Sequence, residues 1–211
     1  MDAVVTAKPR NEARRSQPER RREAERRLLQ AAERIVAERG LERFTLAEIG
    51  EAAGYSRGLP AHYFGSKEGL VGALATHIVS GFGRGAARAE KHPAGLERLL
   101  GVASYYFESA GRDPVRTRVL FAVLGEALTN EALRTRIGEL NAHSVKPIAD
   151  NIRAGIAAGD IRKSINANAT ATLILSGLRG AVTQWLIDPK HIDLKTVRAE
   201  FIASLKRSLA P

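Results

Sequence analysis

The 211-residue sequence has no cysteine, which excludes disulfides and thiolate metal sites and agrees with a reducing compartment. It also has no apolar run of about 18 residues and no apolar segment of signal-peptide type near its start, so neither a membrane span nor secretion is expected, and the expected location is the cytoplasm. The histidines at 62, 77, 92, 143 and 191 have no metal-ligand spacing, and neither a metal nor a cofactor is expected. "GYSRG" at 54–58 matches the G-x-S-x-G nucleophile elbow in letters only, because that device follows a strand, whereas here a capped helical pattern precedes it. "GSKEG" at 65–69 lacks the length and ending of a phosphate loop. "NAT" at Asn168 is a glycosylation sequon only in a secreted protein. No enzymatic constellation is left.

What is present is positive charge and helical periodicity. Net charge is +10 and hydrophobic content 44%, enough for a real core and suited to an anionic partner such as nucleic acid. Residues 1–27 carry nine Lys/Arg against five Asp/Glu, whereas 28–67 balance at five each, so the basicity is concentrated at the start. Residues 1–17 have no apolar periodicity and are expected to form a basic arm. Arg10, Arg14, Arg15 and Arg20 to Arg22 could follow a minor groove or simply be solvated.

From Pro18 the spacing of Leu28, Leu29, Ala32, Ile35 and Val36 predicts a first helix over about 18–39, closed by Gly40. Thr45 and Glu48 have capping-box spacing and open a second helix, 46–53, that stops at Gly54. Ser56 is the expected N-cap of a third helix whose inward face is Leu59, Tyr63 and Phe64. Two short helices joined by a three-residue turn make a helix-turn-helix, or else an ordinary corner in a bundle. The close crossing explains Gly50 and Ala53 on the facing side. Counted from Ser56, Pro60 falls at the fourth helical position, where its missing N–H does little damage. Gly58 lets backbone amides approach a phosphate.

"TLAEIGEAAGYSRGLPAHYFGSKEGL", preceded by "LLQAAERIVAERG", resembles the DNA-binding region of TetR-family transcriptional regulators. The resemblance implies an all-α regulator: an N-terminal three-helix DNA-binding domain over 18–66, and a larger helical domain over 67–211 for effector binding and dimerisation. It implies a homodimer, most simply a repressor released from a palindromic double-stranded operator by a small molecule. Control by a protein partner, or activation, is the other reading. The residues in position to meet DNA are Thr45, Ser56, Arg57, Gly58, Leu59, Pro60, His62, Tyr63 and Lys67. Where the family commonly has Thr-Leu-Tyr, this chain has Leu59, Pro60 and Ala61, so a usual hydroxyl and aromatic contact are missing. Arg57 is suited to a guanine or a phosphate, or is a solvated charge. Lys67, in the first turn of a helix, opposes the local dipole, which favours a phosphate partner.

Six further helices are expected, over about 67–84, 94–110, 113–128, 130–158, 166–187 and 194–209. The eighth has a core face of Ile174, Leu178, Ala181 and Trp185, and a second face of Leu173, Gly177, Gly180 and Gln184 suited to a symmetric partner. With "GLRGAVTQWLIDP" in the family's usual place, the resemblance implies a four-helix dimer interface that adds Val197, Phe201 and Leu205 of the ninth helix. An effector pocket is expected among helices four to eight, where Tyr106, Arg118, Glu126, His143 and Gln184 border apolar faces.

Overall fold

The computed structural model describes residues 16–89 and 91–211, so the expected arm, with Arg10, Arg14 and Arg15, lies almost wholly outside the described residues. Helix α1 (Gln17–Arg39) starts where Ser16 and Glu19 exchange backbone and side-chain hydrogen bonds in a capping box. Arg20, Arg21 and Arg22 are exposed in its first turns. It buries Leu28, Leu29, Ala32, Ile35 and Val36 and ends at Gly40, whose φ of +79° suits glycine. In α2 (Leu46–Ala52) the Thr45 hydroxyl accepts from the Glu48 N–H at 3.2 Å, and the Glu48 carboxylate accepts from the Thr45 N–H at 2.7 Å.

The third helix departs from expectation at its start. α3 (Leu59–Phe64) is capped by Gly58 with no side-chain bond, so Ser56 is not its N-cap, and Pro60 is the second helical residue rather than the fourth. Ser56 helps instead through its carbonyl, which accepts from the Leu59 N–H at 3.1 Å. At the second position proline lacks only an N–H that no helical carbonyl could have accepted, so the placement is easier than the expected one.

The remaining helices are α4 (Lys67–Ala89), α5 (Leu96–Arg112), α6 (Pro114–Glu126), α7 (Glu131–Ala158), α8 (Ala167–Ile187) and α9 (Leu194–Leu209). Side-chain caps open α6 (Asp113), α7 (Asn130), α8 (Asn166) and α9 (Asp193). The protein is all-α, with no strand among the described residues.

Two apolar clusters hold these helices, and they do not divide where the chain does. The first joins α1 to α4 with Val119, Leu120 and Val123 of α6 and Leu133, Ile137 and Leu140 of α7. The second joins α5, α8 and α9 with Ile148, Ala149 and Ile152 of α7. Pro147 stands inside α7 where it passes from one cluster to the other.

α9 turns its apolar stripe inward. Leu205 is buried, and Val197 and Phe201 pack on the second cluster, with the Phe201 ring 5.5 Å from that of Phe107. Gly177 admits that same ring: a Cβ there would lie 2.9 Å from it. Of the expected dimer-face residues, Leu205 is buried within its own chain and Gly177 is half-buried against Phe201, because α8 and α9 cross closely. Leu173 and Ile187, 70% and 71% exposed, share the outer side of α8 with Gly180 and Gln184.

Candidate nucleic-acid interface and effector site

The α2–α3 crossing depends on Gly50, where a Cβ would stand 2.5 Å from the Ser56 carbonyl oxygen and 3.2 Å from Cδ of Pro60. Gly54, with φ +77°, makes the turn. Pro60 is buried in this crossing and Leu59 packs on the first cluster, so both position α3 from its inner side. Ser56, Arg57, Gly58 and His62 are exposed on the other side.

Arg57 lies 3.4 Å from Glu51 in a pair exposed on both sides, which holds it loosely. Apart from its chain neighbours, no atom of the described residues lies within 4 Å of where a Gly58 Cβ would be, and its φ of −84° is ordinary. Tyr63 packs its ring on the first cluster while its hydroxyl donates to the Arg21 carbonyl at 3.3 Å. Lys67 donates to the Glu42 carbonyl at 2.9 Å, with its ammonium 4.5 Å from the Phe44 ring centre, which pins the α1–α2 loop to α4. An ammonium has three donors, so others remain for a phosphate. The exposed Thr45 hydroxyl serves the cap, and the backbone N–H and hydroxyl of Thr45 hold the Glu48 carboxyl below its usual range.

In the regulatory part, Tyr106 of α5 lies beside Arg179 of α8, whose guanidinium donates to the Asn141 side chain of α7 at 2.7 Å. Phe82 of α4 meets the Tyr106 ring edge-on at 5.2 Å. Burial pushes the Tyr106 hydroxyl up to about 12 and draws the Arg179 guanidinium below its usual value. No ion pair with another described residue neutralises Arg179.

Of the five expected effector residues, only Tyr106 belongs to this cluster. Arg118, His143 and Gln184 are exposed, with His143 Nδ1 2.9 Å from the Glu139 carbonyl. Glu126 serves the α6–α7 turn, 3.5 Å from Asn130. Arg179 and Asn141 went unseen. The signal for Arg179 was its place between Leu175 and Val182, four residues back and three on, on the buried face of α8.

Residues 28–74 match the family model "Bacterial regulatory proteins, tetR family", and residues 95–210 match "BetI-type transcriptional repressor, C-terminal". The HTH-type transcriptional regulator BetI of Brucella suis is 37% identical over 95 residues, 44% of this chain and 46% of the relative. The chain thus spans about half the length of that curated relative. The regulator TtgR of Pseudomonas putida is 28% identical over 177 residues, 79% of this chain and 82% of the relative. Among solved structures, a TetR-family regulator from Rhodococcus superposes with a TM-score of 0.81 at 23% identity, covering 90% of this chain and all of that one. A regulator from Saccharomonospora viridis in complex with choline does so with 0.74 at 22% identity, covering 90% and 99%. FadR of Bacillus subtilis in complex with stearoyl-CoA does so with 0.75 at 21% identity, covering 87% and 98%. With a helix-turn-helix whose outer face is free and family models matching both parts of the sequence, the chain belongs to the TetR family of transcriptional regulators and is not an enzyme.

Proposed function

We propose that the protein is a homodimeric repressor that holds a palindromic operator through residues 18–66 and releases it when residues 67–211 bind a small molecule. The observation that carries this is the outer side of the turn into α3 and of α3 itself: Ser56, Arg57 and Gly58 in the turn and His62 on the helix are exposed, and Gly58 has neither a packing nor a conformational reason to be glycine. A duplex phosphate or base edge drawn close to that backbone supplies the reason. Thr45, Tyr63 and Lys67 flank it as phosphate contacts, and Leu59 and Pro60 hold α3 in place from behind.

One recognition helix reads too few bases, so a second copy is needed, its reading helix about one turn of the duplex away or a multiple of that. The outer side of α8, with Leu173, Gly180, Gln184 and Ile187, is the proposed contact, since Leu173 and Ile187 together expose apolar surface that a copy would cover.

The effector site is centred on Tyr106, Arg179 and Asn141. Through Phe82 it touches α4, the helix that begins at Lys67 beside the reading head, so a ligand there acts on the head's position. Arg179 selects the ligand class. A half-buried guanidinium repels a quaternary ammonium such as the choline of the Saccharomonospora viridis complex and favours a carboxylate or another acceptor.

The test is an operator selected from random duplexes, footprinted and then titrated. The expected result is symmetric protection by a dimer, released by a long-chain carboxylate or acyl thioester and not by choline. Protection of one asymmetric half-site by a monomer overturns the dimeric reading. Release by choline alone overturns the ligand class, and release by neither favours control by a protein partner.

A further inference from the structure

A cleft of about 510 Å³ separates the reading head from the regulatory part, lined by Arg27, Gln30, Glu33 and Arg34 of α1, Ala52 and Ala53 at the end of α2, His77 of α4 and Arg116 of α6. Its chemistry is one-sided. Three guanidiniums face one carboxylate, and Arg27 is already held by Glu23 at 2.8 Å. The Gln30 carbonyl oxygen accepts from Arg26, which leaves its amide N–H groups as donors.

Arg116 is the anomaly. Its Nε–H is buried and has no hydrogen-bond partner among the described residues, where the nearest carboxylate oxygen, on Glu33, is 3.7 Å away, too far to accept. The guanidinium lies against Gly81 of α4, where a Cβ would stand 3.0 Å from Nη2, so it cannot easily back away from the cleft. Glu33, whose carboxyl burial pushes up while Arg116 draws it down, offsets at most one of the three guanidiniums.

We propose that this cleft is a binding site, separate from the Tyr106–Arg179 cluster, for a small multivalent oxyanion that accepts from the terminal N–H groups of Arg116, from Arg34 and from the Gln30 amide. The shielded, unsatisfied Nε leaves the Arg116 charge poorly compensated from within the fold; such an anion compensates it, balances the excess of guanidinium, and bridges α1 of the head to α6 of the regulatory part. The volume is that of a small-molecule site. Bound there, it ties the head to the body by contacts that neither DNA nor the effector supplies.

Pyrophosphate is the probe, titrated calorimetrically into the full chain without DNA, with sodium chloride at matched ionic strength as the control. The expected result is one site per chain, a rise in melting temperature, and binding at least tenfold weaker in both Arg116→Gln and Arg34→Gln. Arg34 is exposed, so its variant keeps the test sound if Arg116→Gln fails to fold. No binding at millimolar pyrophosphate, or equal binding by wild type and Arg34→Gln, overturns the proposal. Loss of duplex affinity in Arg34→Gln without pyrophosphate present also overturns it, since the groups would then be contacts to the DNA backbone.

Discussion

Gly58 and Lys67 separate two kinds of side-chain role. Gly58 has ordinary helical dihedrals and open space beyond its Cα. Gly58→Ala is therefore expected to leave the fold intact and to raise stability by about 0.4–1 kcal/mol by restricting the unfolded chain, while weakening operator binding. Thermal melts and fluorescence anisotropy on one preparation check both halves, and unchanged DNA affinity counts against close approach at this position. Lys67 already has a partner in the Glu42 carbonyl. Lys67→Ala should weaken all duplexes alike, lower the slope of log K against log salt by about 0.9, and cost about 1 kcal/mol of stability through the lost hydrogen bond. Among the described residues Arg57 has only its loose pair with Glu51, so Arg57→Ala should leave the melt unmoved. It should cost about 1–3 kcal/mol at the operator and relax preference at one base pair. Equal, salt-independent losses for Lys67 and Arg57 contradict these assignments.

At the scale of elements, helix boundaries were readable wherever a capping side chain and an apolar stripe coincide. Thr45 with Glu48 and the run from Leu28 to Val36 placed α2 and α1 to within a residue or so. α3 was misplaced at its start because Ser56 caps with its carbonyl, a backbone bond that residue type does not signal. The outer stripe of α8 was half legible. Periodicity shows that two faces exist, but not which is covered by the same chain: the Phe201 ring of α9 lies against Gly177, and Leu205 of α9 is buried in the second cluster. This packing decides what substitutions do. Gly177→Leu should drive a side chain into the Phe201 ring and destabilise each subunit by about 1–3 kcal/mol, visible in denaturant melts. Leu173→Lys with Ile187→Lys, both on exposed positions, should leave those melts almost unmoved and yield monomers by sedimentation. A stable dimer in that double variant means that α8 is not the contact.

Over the whole molecule, the junction between head and body carries a pH response. Burial, then Arg116, Arg84 and Arg26, hold His77 below its ordinary 6.5, so the neutral ring is the form the fold prefers. That contribution to stability is complete above 6.5 and is lost as pH falls through the depressed folded value. Glu33, raised by burial, acts in the opposite sense: its contribution is complete below 4.5 and fades as pH rises through its folded value. His77→Gln should therefore flatten the loss of melting temperature on going below pH 6.5, and an unchanged profile assigns the loss to other groups. The first apolar cluster has a consequence of another kind. Leu70, Leu74 and Ile78 of α4 share it with Val119 and Val123 of α6 and with Leu133 and Ile137 of α7. The reading head is consequently not a portable cassette. A chimera spliced just behind α4 strands half of a packed core in water, and a head moved onto a foreign body must inherit α6 and α7 as far as Pro147, or find surfaces there that fit as closely.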